Sequence, residues 1–122
     1  MKKILIAEDS SVIQNLIKKV LGQSKTVVEF KSVKNGELLV EAIKNESFDL
    51  FLIDINIPKV DGIECLKTIR NHASLSTKPV IAITGNANNY TPEQFKDFGF
   101  DDFLIKPLNF DSLVQKVQSL LV

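Results

Sequence analysis

The chain alternates between short apolar runs and longer stretches whose apolar residues recur at helical spacing. The apolar runs predict strands covered on both faces, because a strand inside a parallel sheet is apolar throughout its length. The longer stretches place apolar residues three or four positions apart, which is typical of helices with one buried face. The predicted strands cover residues 3–7, 26–30, 50–53, 79–83 and 102–105.

Capping and turn residues mark the predicted helix ends. Ser10 or Ser11 can cap the first helix, and Gly22 ends it. The second helix begins at Asn35, and Gly62 leads into the third. The other predicted bounds are Arg70 for the end of the third helix, Thr91 to Gly99 for the fourth, and about Asn109 for the start of the last.

Five alternations of strand and helix predict an α/β fold with a doubly wound parallel sheet, that is, with helices on both faces. Right-handed crossovers between the strands place all five carboxyl ends on one edge of that sheet. The chain has 122 residues, of which 44% are hydrophobic and 25% charged, which suits one globular domain over residues 1–122.

Charge and hydropathy argue against several classes of partner. Fifteen basic and fifteen acidic residues cancel, so neither nucleic acid nor an anionic membrane is an expected partner. The apolar run near the amino terminus stops at Glu8, too early for a signal peptide, and no stretch approaches the roughly 18 apolar residues of a membrane span. The single cysteine, Cys65, excludes an internal disulfide and is expected to be a packing residue in a helix. A cytoplasmic protein is expected.

Polar side chains follow four of the five predicted strands. Glu8 and Asp9 come after the first strand, Asp54 after the third, Thr84 after the fourth and Lys106 after the fifth. A single aspartate at a strand end is most often a turn or capping residue. Here the strand ends share one edge, so these five side chains are expected to converge in one cleft, where open α/β sheets bind their ligands.

Three carboxylates in one cleft repel one another, so their negative charge must be offset by cations. At about 4 Å each pair repels by roughly 1 kcal/mol in water and about 4 kcal/mol at an effective dielectric near 20. Lys106 offsets one charge, and Mg²⁺, which prefers oxygen ligands and keeps water positions open, would offset two more. A metal, a nucleophilic carboxylate, an ammonium and a hydroxyl are the parts needed for phosphoryl transfer to an aspartate. The alternative is a structural acid cluster paired with Lys106.

Over its whole length the chain resembles a response-regulator receiver domain of two-component signalling, similar to single-domain chemotaxis regulators. The matching motifs are Glu8-Asp9, Asp54 with Pro58 and Asp61-Gly62, Thr84, and the run 101–107. The resemblance implies a flavodoxin-like sheet of order 2-1-3-4-5 with five helices.

The resemblance also implies roles for the strand-end residues. Asp54 is the expected phosphoacceptor, with Thr84 and Lys106 each contacting a phosphoryl oxygen. Asp9, Asp54 and the backbone carbonyl of Asn56 are the expected Mg²⁺ ligands, and Glu8 acts through a metal-bound water. A cis bond is expected before Pro107.

A conformational switch is implied as well, coupling Thr84 to the aromatic Phe103. Three departures from the usual pattern are evident: Gly85 replaces a small alanine, Phe103 replaces a tyrosine, and Gln14 stands where many members carry arginine. The first two are expected to alter how phosphorylation is transmitted.

The expected partners are a histidine kinase or histidine phosphotransfer protein as donor, and a downstream protein that binds the face around Phe103. The domain is expected to be a monomer or weak dimer. It is expected not to be an enzyme acting on a separate substrate, but to catalyse its own phosphorylation and dephosphorylation. No output domain is expected, since the chain ends with the fifth helix; it is either a stand-alone protein or a domain of a longer one.

Other functional classes share parts of this pattern. A flavodoxin needs a phosphate-binding loop of small and hydroxyl residues, where this chain has Glu8. A haloacid-dehalogenase-type phosphatase needs a second acid two residues after its nucleophile, where this chain has Asn56. An unphosphorylated interaction module is the third alternative. His72 is expected to be a loop residue rather than a relay histidine. The stripe Val12, Ile13, Leu16 and Ile17 is expected to be mostly core, with a minor part facing a donor helix.

Overall fold

The computed structural model describes residues 2–23, 28–85 and 90–121. Within these ranges the chain forms five strands and five helices in strict alternation. The strands are β1 (Lys2–Ala7), β2 (Val28–Val33), β3 (Leu50–Asp54), β4 (Val80–Thr84) and β5 (Asp102–Ile105). The helices are α1 (Ser11–Gly22), α2 (Gly36–Asn45), α3 (Gly62–Asn71), α4 (Pro92–Phe98) and α5 (Phe110–Leu120).

All strand pairs are parallel, and the sheet order is β2-β1-β3-β4-β5, which confirms the predicted fold class. The register aligns the carboxyl ends of the strands. Ala7 pairs with both Val33 and Ile53, Asp54 pairs with Ile83, and Thr84 pairs with Ile105. Asp54 and Thr84 are therefore the last residues of neighbouring strands, on the same edge of the sheet as the residues that follow β1.

The core has two parts, one on each face of the sheet, because successive side chains of a strand point to opposite faces. Leu5 and Ala7 of β1 contribute to the core shared with α2 and α3, whereas Ile4 and Ile6 contribute to the core shared with α1 and α5. Every residue of β3 and β4 is buried. Cys65 packs in the first core as predicted, where burial raises the pKa of its thiol to about 12.

Two predictions about the elements need correction. β2 runs to Val33 rather than ending at Phe30. The strand continues through polar positions such as Ser32 because those residues still pair with β1. Thr26, the predicted start of this strand, lies outside the described residues. The apolar stripe of α1 is not mostly core. Val12 is 69% and Leu16 40% exposed. The first turn of α1 begins beyond the end of β1, and Leu16 lines a surface groove rather than the sheet.

The other predicted ends agree closely with the structure. Ser10 caps α1, Asp61 caps α3, and Thr91 forms a capping box with Gln94 at the start of α4. Gly99 ends α4 in a left-handed conformation. His72 lies at the end of α3 rather than at the strand ends. None of the helices in the described ranges is long and apolar enough to span a bilayer.

The loop that follows β3 packs directly against the start of α2. The Gly36 N–H donates to Pro58 O at 3.1 Å, and a Cβ at Gly36 would overlap the backbone carbonyl of Val60. We expect Gly36→Ala to lower the free energy of unfolding by about 2 kcal/mol or more, because backbone must move to admit the methyl group. Gly22→Ala is the matched control, since a Cβ there meets no atom within 4 Å. That variant should be neutral or more stable by up to about 1 kcal/mol. Urea unfolding measures both, and equal effects would contradict this packing.

Candidate functional site

Asp54 ends β3 with its carboxylate held at both oxygens. The side chain is buried, with the residue 4% exposed. Oδ1 accepts a hydrogen bond from the Asn56 backbone N–H at 2.9 Å, and Oδ2 accepts one from Lys106 Nζ at 2.7 Å. The carboxylate is therefore fixed in orientation by the loop on one side and by the residue after β5 on the other.

Glu8 lies directly after β1 and is fully buried. Its Oε2 accepts a hydrogen bond from the Ser10 N–H at 3.0 Å. Its Oε1 lies 2.6 Å from Lys106 Nζ, an ion pair that lacks the alignment of a hydrogen bond. One ammonium group thus contacts two buried carboxylates, and their summed charge is only half compensated.

The pKa values of Glu8 and Lys106 are both shifted by burial and by their close contacts. Burial raises the pKa of Glu8 above its ordinary value, although contacts to Lys106 and the Ser10 N–H act in the opposite direction. Burial alone would lower the pKa of Lys106. Its hydrogen bond to Asp54, its close contact with Glu8 and the negative charges of both acids together outweigh that effect, so the pKa of Lys106 lies above its ordinary value. Lys106 is therefore a fixed cation at neutral pH.

A third carboxylate, Asp9, completes an acidic cluster. Oxygen atoms of Glu8, Asp9 and Asp54 lie within 4.8 Å of one another, and Asp9 is exposed whereas the other two are buried. Three carboxylates against one ammonium leave an excess of two negative charges. An all-oxygen set with one side open to solvent is what Mg²⁺ prefers. The structure thus brings the three predicted carboxylates together. Asn56 lies two residues after Asp54 and is exposed to solvent, and its backbone N–H donates to Asp54 Oδ1.

Thr84 and Lys106 are joined through their backbones. Thr84 is the last residue of β4 and is 2% exposed, and its carbonyl accepts a hydrogen bond from the Lys106 N–H at 2.8 Å. The Lys106–Pro107 bond is cis, as predicted. Lys106 is consequently anchored by its backbone to β4, while its ammonium group reaches across to the ends of β1 and β3.

Phe103, the predicted switch aromatic, lies on the side of β5 that faces α4. Its ring stacks on Phe95 with centroids 5.0 Å apart and an interplanar angle of 14°. Lys116 Nζ lies 5.1 Å from the ring centroid and donates to the Phe103 carbonyl at 2.6 Å. The same ammonium pairs with Asp102 at 3.0 Å. The ring is thus held between an aromatic face and a cation.

Sequence reasoning missed one buried polar residue beside this site. Gln14 is 7% exposed, and its Nε2 donates to the Glu8 carbonyl at 2.6 Å and to the Val33 carbonyl at 3.3 Å. The sequence carried a signal for it. Gln14 lies three residues before the buried Ile17 and seven before Leu21, so a polar residue occupies the buried face of α1.

A comparison with known families decides what this arrangement is. The family model described as the response regulator receiver domain matches residues 4–118. The chain belongs to this family. The predictions of a receiver domain and of a role in two-component signalling are thereby confirmed.

Relatives of this receiver domain occur in longer proteins. It is 33% identical to the sensory transduction protein BceR of Halalkalibacterium halodurans, over 99% of this chain and 50% of that protein. It is 29% identical to the response regulator ArlR of Staphylococcus saprophyticus, over 99% of this chain and 53% of that protein. The chain thus spans about half the length of these curated relatives. It also matches 5% of the hybrid signal transduction histidine kinase M of Dictyostelium discoideum, at 35% identity over 96% of this chain.

Solved structures of receiver domains share its fold closely. The receiver domain of a Pseudomonas aeruginosa sensor histidine kinase, described with a magnesium ion coordinated in its active-site cleft, superposes with a TM-score of 0.84 at 27% identity. That match covers 98% of this chain and 97% of the other. The Vibrio cholerae chemotaxis protein CheY4 gives a TM-score of 0.86 at 25% identity, over 99% of each chain.

The position of Lys106 between two buried acids gives a testable expectation for stability. We expect Lys106→Met to lower the free energy of unfolding in metal-free buffer by about 1 to 3 kcal/mol, because two buried carboxylates lose their cation. Adding Glu8→Gln should recover part of that loss by removing one of the charges. The control is Lys67→Met, whose partner Glu64 is 3.3 Å away and whose ion pair is exposed on both sides. Chemical denaturation with chelator present measures all four proteins. Equal losses in the two lysine variants would show that Lys106 does not compensate the buried acids.

Proposed function

We propose that Asp54 accepts a phosphoryl group from a phosphohistidine of a histidine kinase or histidine phosphotransfer protein, in a Mg²⁺-dependent reaction. Phosphorylation then changes a partner-binding face around Phe103. The observation that carries this proposal is the Asp54 carboxylate, held at the end of β3 with Lys106 Nζ at 2.7 Å and two further carboxylates beside it.

In the proposed reaction one covalent bond forms between the protein and the phosphoryl group, and the other residues of the site orient the reactants and stabilise charge. A carboxylate oxygen of Asp54 attacks phosphorus, an acyl phosphate P–O bond forms, and the P–N bond of the donor breaks with its electron pair passing to the imidazole nitrogen. Burial of Asp54 and its hydrogen bond from the Asn56 N–H orient the nucleophile in advance. Lys106 then offers its ammonium to one phosphoryl oxygen, and the Thr84 hydroxyl offers a hydrogen bond to another.

The donor set of the acidic cluster supports Mg²⁺ as the cofactor. Asp9, Asp54 and the Asn56 backbone carbonyl would hold it directly, with Glu8 acting through a bound water. When bound, the metal neutralises negative charge on the carboxylates and on the phosphoryl oxygens. The related Pseudomonas aeruginosa receiver, described with magnesium in its cleft, supports the assignment.

The same residues support slow loss of the phosphoryl group. Water attacks phosphorus, the acyl phosphate P–O bond breaks, and Asp54 regains its carboxylate with inorganic phosphate as the product. In this proposal the domain acts only on its own phosphoryl group and is not an enzyme for a separate substrate. A single receiver domain over residues 1–122, a cytoplasmic location and a monomeric or weakly dimeric state are part of the same proposal.

An exposed apolar surface beside Lys106 supports docking of a phosphodonor helix. Val12 and Leu16 of α1 are 69% and 40% exposed, and Phe110 at the start of α5 is 43% exposed. A groove of about 220 Å³ lies among Ile13, Leu16, Lys106, Pro107, Leu108 and Phe110. Since Lys106 lines both this groove and the phosphoacceptor site, a protein bound here can present its phosphohistidine to Asp54.

The phosphoacceptor assignment is tested with acetyl phosphate and Mg²⁺. The parent protein should gain one phosphoryl group, labile to base and hydroxylamine, as expected for an acyl phosphate. Asp54→Asn should gain none. Asp61→Asn is the matched control, because Asp61 ends the loop that follows Asp54 and caps α3, a role that asparagine also fills. Intact-protein mass spectrometry reads the added mass. Labelling of Asp54→Asn, or of His72, would overturn the assignment.

The docking surface is tested by comparing two exposed leucines. Leu16→Ala on α1 should slow phosphotransfer from a phosphorylated histidine phosphotransfer domain by about fivefold or more, which corresponds to roughly 1 kcal/mol at an interface hot spot. Leu38→Ala on α2 is the control, since Leu38 is 48% exposed but lies outside the groove. Both variants should react normally with acetyl phosphate, which needs no docking. The assay uses a panel of purified phosphodonor domains, and equal rates for the two variants with every active donor would contradict docking on α1.

A further inference from the structure

We propose that Gln14 is a positioning residue for Glu8 and thereby sets the affinity of the acidic cluster for Mg²⁺. This inference rests on the proposed function, since it assumes that Glu8, Asp9 and Asp54 together bind the metal. Gln14 itself touches neither metal nor phosphoryl group. It acts through the backbone that carries Glu8.

The side-chain amide of Gln14 joins three elements. Its Nε2 donates to Glu8 O at 2.6 Å, directly after β1, and to Val33 O at 3.3 Å, at the end of β2. Its own backbone lies in the first turns of α1, where its N–H donates to Ser10 O at 3.0 Å. The residue is 7% exposed, so water does not readily replace these hydrogen bonds.

Glu8 depends on this arrangement because its backbone is held from both sides. Its N–H donates to Val33 O at 3.0 Å, and its carbonyl accepts from Gln14. The carboxylate is then turned toward the site, with Oε2 on the Ser10 N–H and Oε1 2.6 Å from Lys106 Nζ. A shift of the Glu8 backbone therefore moves a fully buried carboxylate, which has little freedom to recover its position by changing rotamer.

Removing the side-chain amide of Gln14 should make the position of Glu8 less well fixed, without changing the charge of the site. Gln14→Met nearly preserves the volume but leaves the Glu8 carbonyl buried without its side-chain donor. Groups that orient the ligands of a metal commonly change its affinity by 10- to 100-fold. We expect the Mg²⁺ dissociation constant to rise about tenfold in Gln14→Met. Gln14→Asn, whose amide falls one methylene short, should show a similar rise and serves if the methionine variant does not fold.

A neutral control exists in the same interface. Lys18 Nζ donates to Ser32 Oγ at 2.8 Å, which is another link between α1 and β2 that does not involve Glu8. Ser32→Ala removes that link without changing the net charge. It should lower stability slightly and leave the Mg²⁺ dissociation constant unchanged, whereas a purely structural role of Gln14 would make the two variants alike.

The experiment is a calorimetric Mg²⁺ titration of the parent, Gln14→Met, Gln14→Asn and Ser32→Ala, at a temperature where all are folded. A second readout is hydrogen exchange of the Ser10 amide in the metal-free protein, which should quicken only in the Gln14 variants. A third is phosphorylation by acetyl phosphate, where the Gln14 variants should need more Mg²⁺ but reach the parent rate at saturation. If the parent does not bind Mg²⁺, the proposed function fails. If the parent binds and the Gln14 variants bind equally well, only the role of Gln14 fails.

Discussion

The ammonium group of Lys106, placed between two buried carboxylates, is the interaction on which the strand-end edge depends. Its Nζ lies 2.6 Å from Glu8 Oε1 and 2.7 Å from Asp54 Oδ2, and these acids follow or end different strands. Its backbone N–H is fixed on the carbonyl of Thr84. One residue therefore connects the ends of β1, β3, β4 and β5. Without it, two carboxylates buried within a few ångströms of each other would repel strongly at the low effective dielectric of the interior.

Lys106 compensates only one of the three negative charges of the acidic cluster, and this incomplete compensation matters for the chemistry of the site. A second fixed cation would stabilise the metal-free fold, but it would also occupy the place of a metal and a phosphoryl group. The excess of two negative charges in the acidic cluster keeps the site receptive to a divalent ion. The rest of the fold supplies the stability that this edge lacks, through β3 and β4, in which every residue is buried. Functional sites often retain such local conflicts because the surrounding structure holds them in place.

The sequence predicts the fold and the content of the site well because both depend on strong local signals. Apolar runs that stop at Asp54 and Glu8 define strands and their ends, and parallel topology then brings those ends together. The errors arise where tertiary contacts override local pattern. β2 extends to Val33 because β1 provides hydrogen-bonding partners through polar positions, and Leu16 is exposed although it belongs to an apolar stripe. Gln14 was noted only as a departure from the family pattern. Its spacing from Ile17 and Leu21 predicts burial, but its contacts to two backbone carbonyls depend on the tertiary structure.

The contacts of Phe103 show how a change at Asp54 can reach α4 in the proposed switch. Phe103 lies three residues before Lys106 on β5, and its ring stacks on Phe95 of α4. Lys116 fixes the strand from the other side, through the Phe103 carbonyl at 2.6 Å. In the proposed switch, a phosphoryl group on Asp54 would replace the carboxylate oxygen that now accepts from Lys106, and the ammonium, which also pairs with Glu8, would be drawn toward the phosphoryl oxygens. A displacement of Lys106 would act on β5, a strand of four residues that Lys116 contacts at Phe103, so in this proposal the stacked ring and α4 are the parts expected to respond. A phenylalanine suits this route, because packing and the cation hold its ring and no hydroxyl partner has to be exchanged.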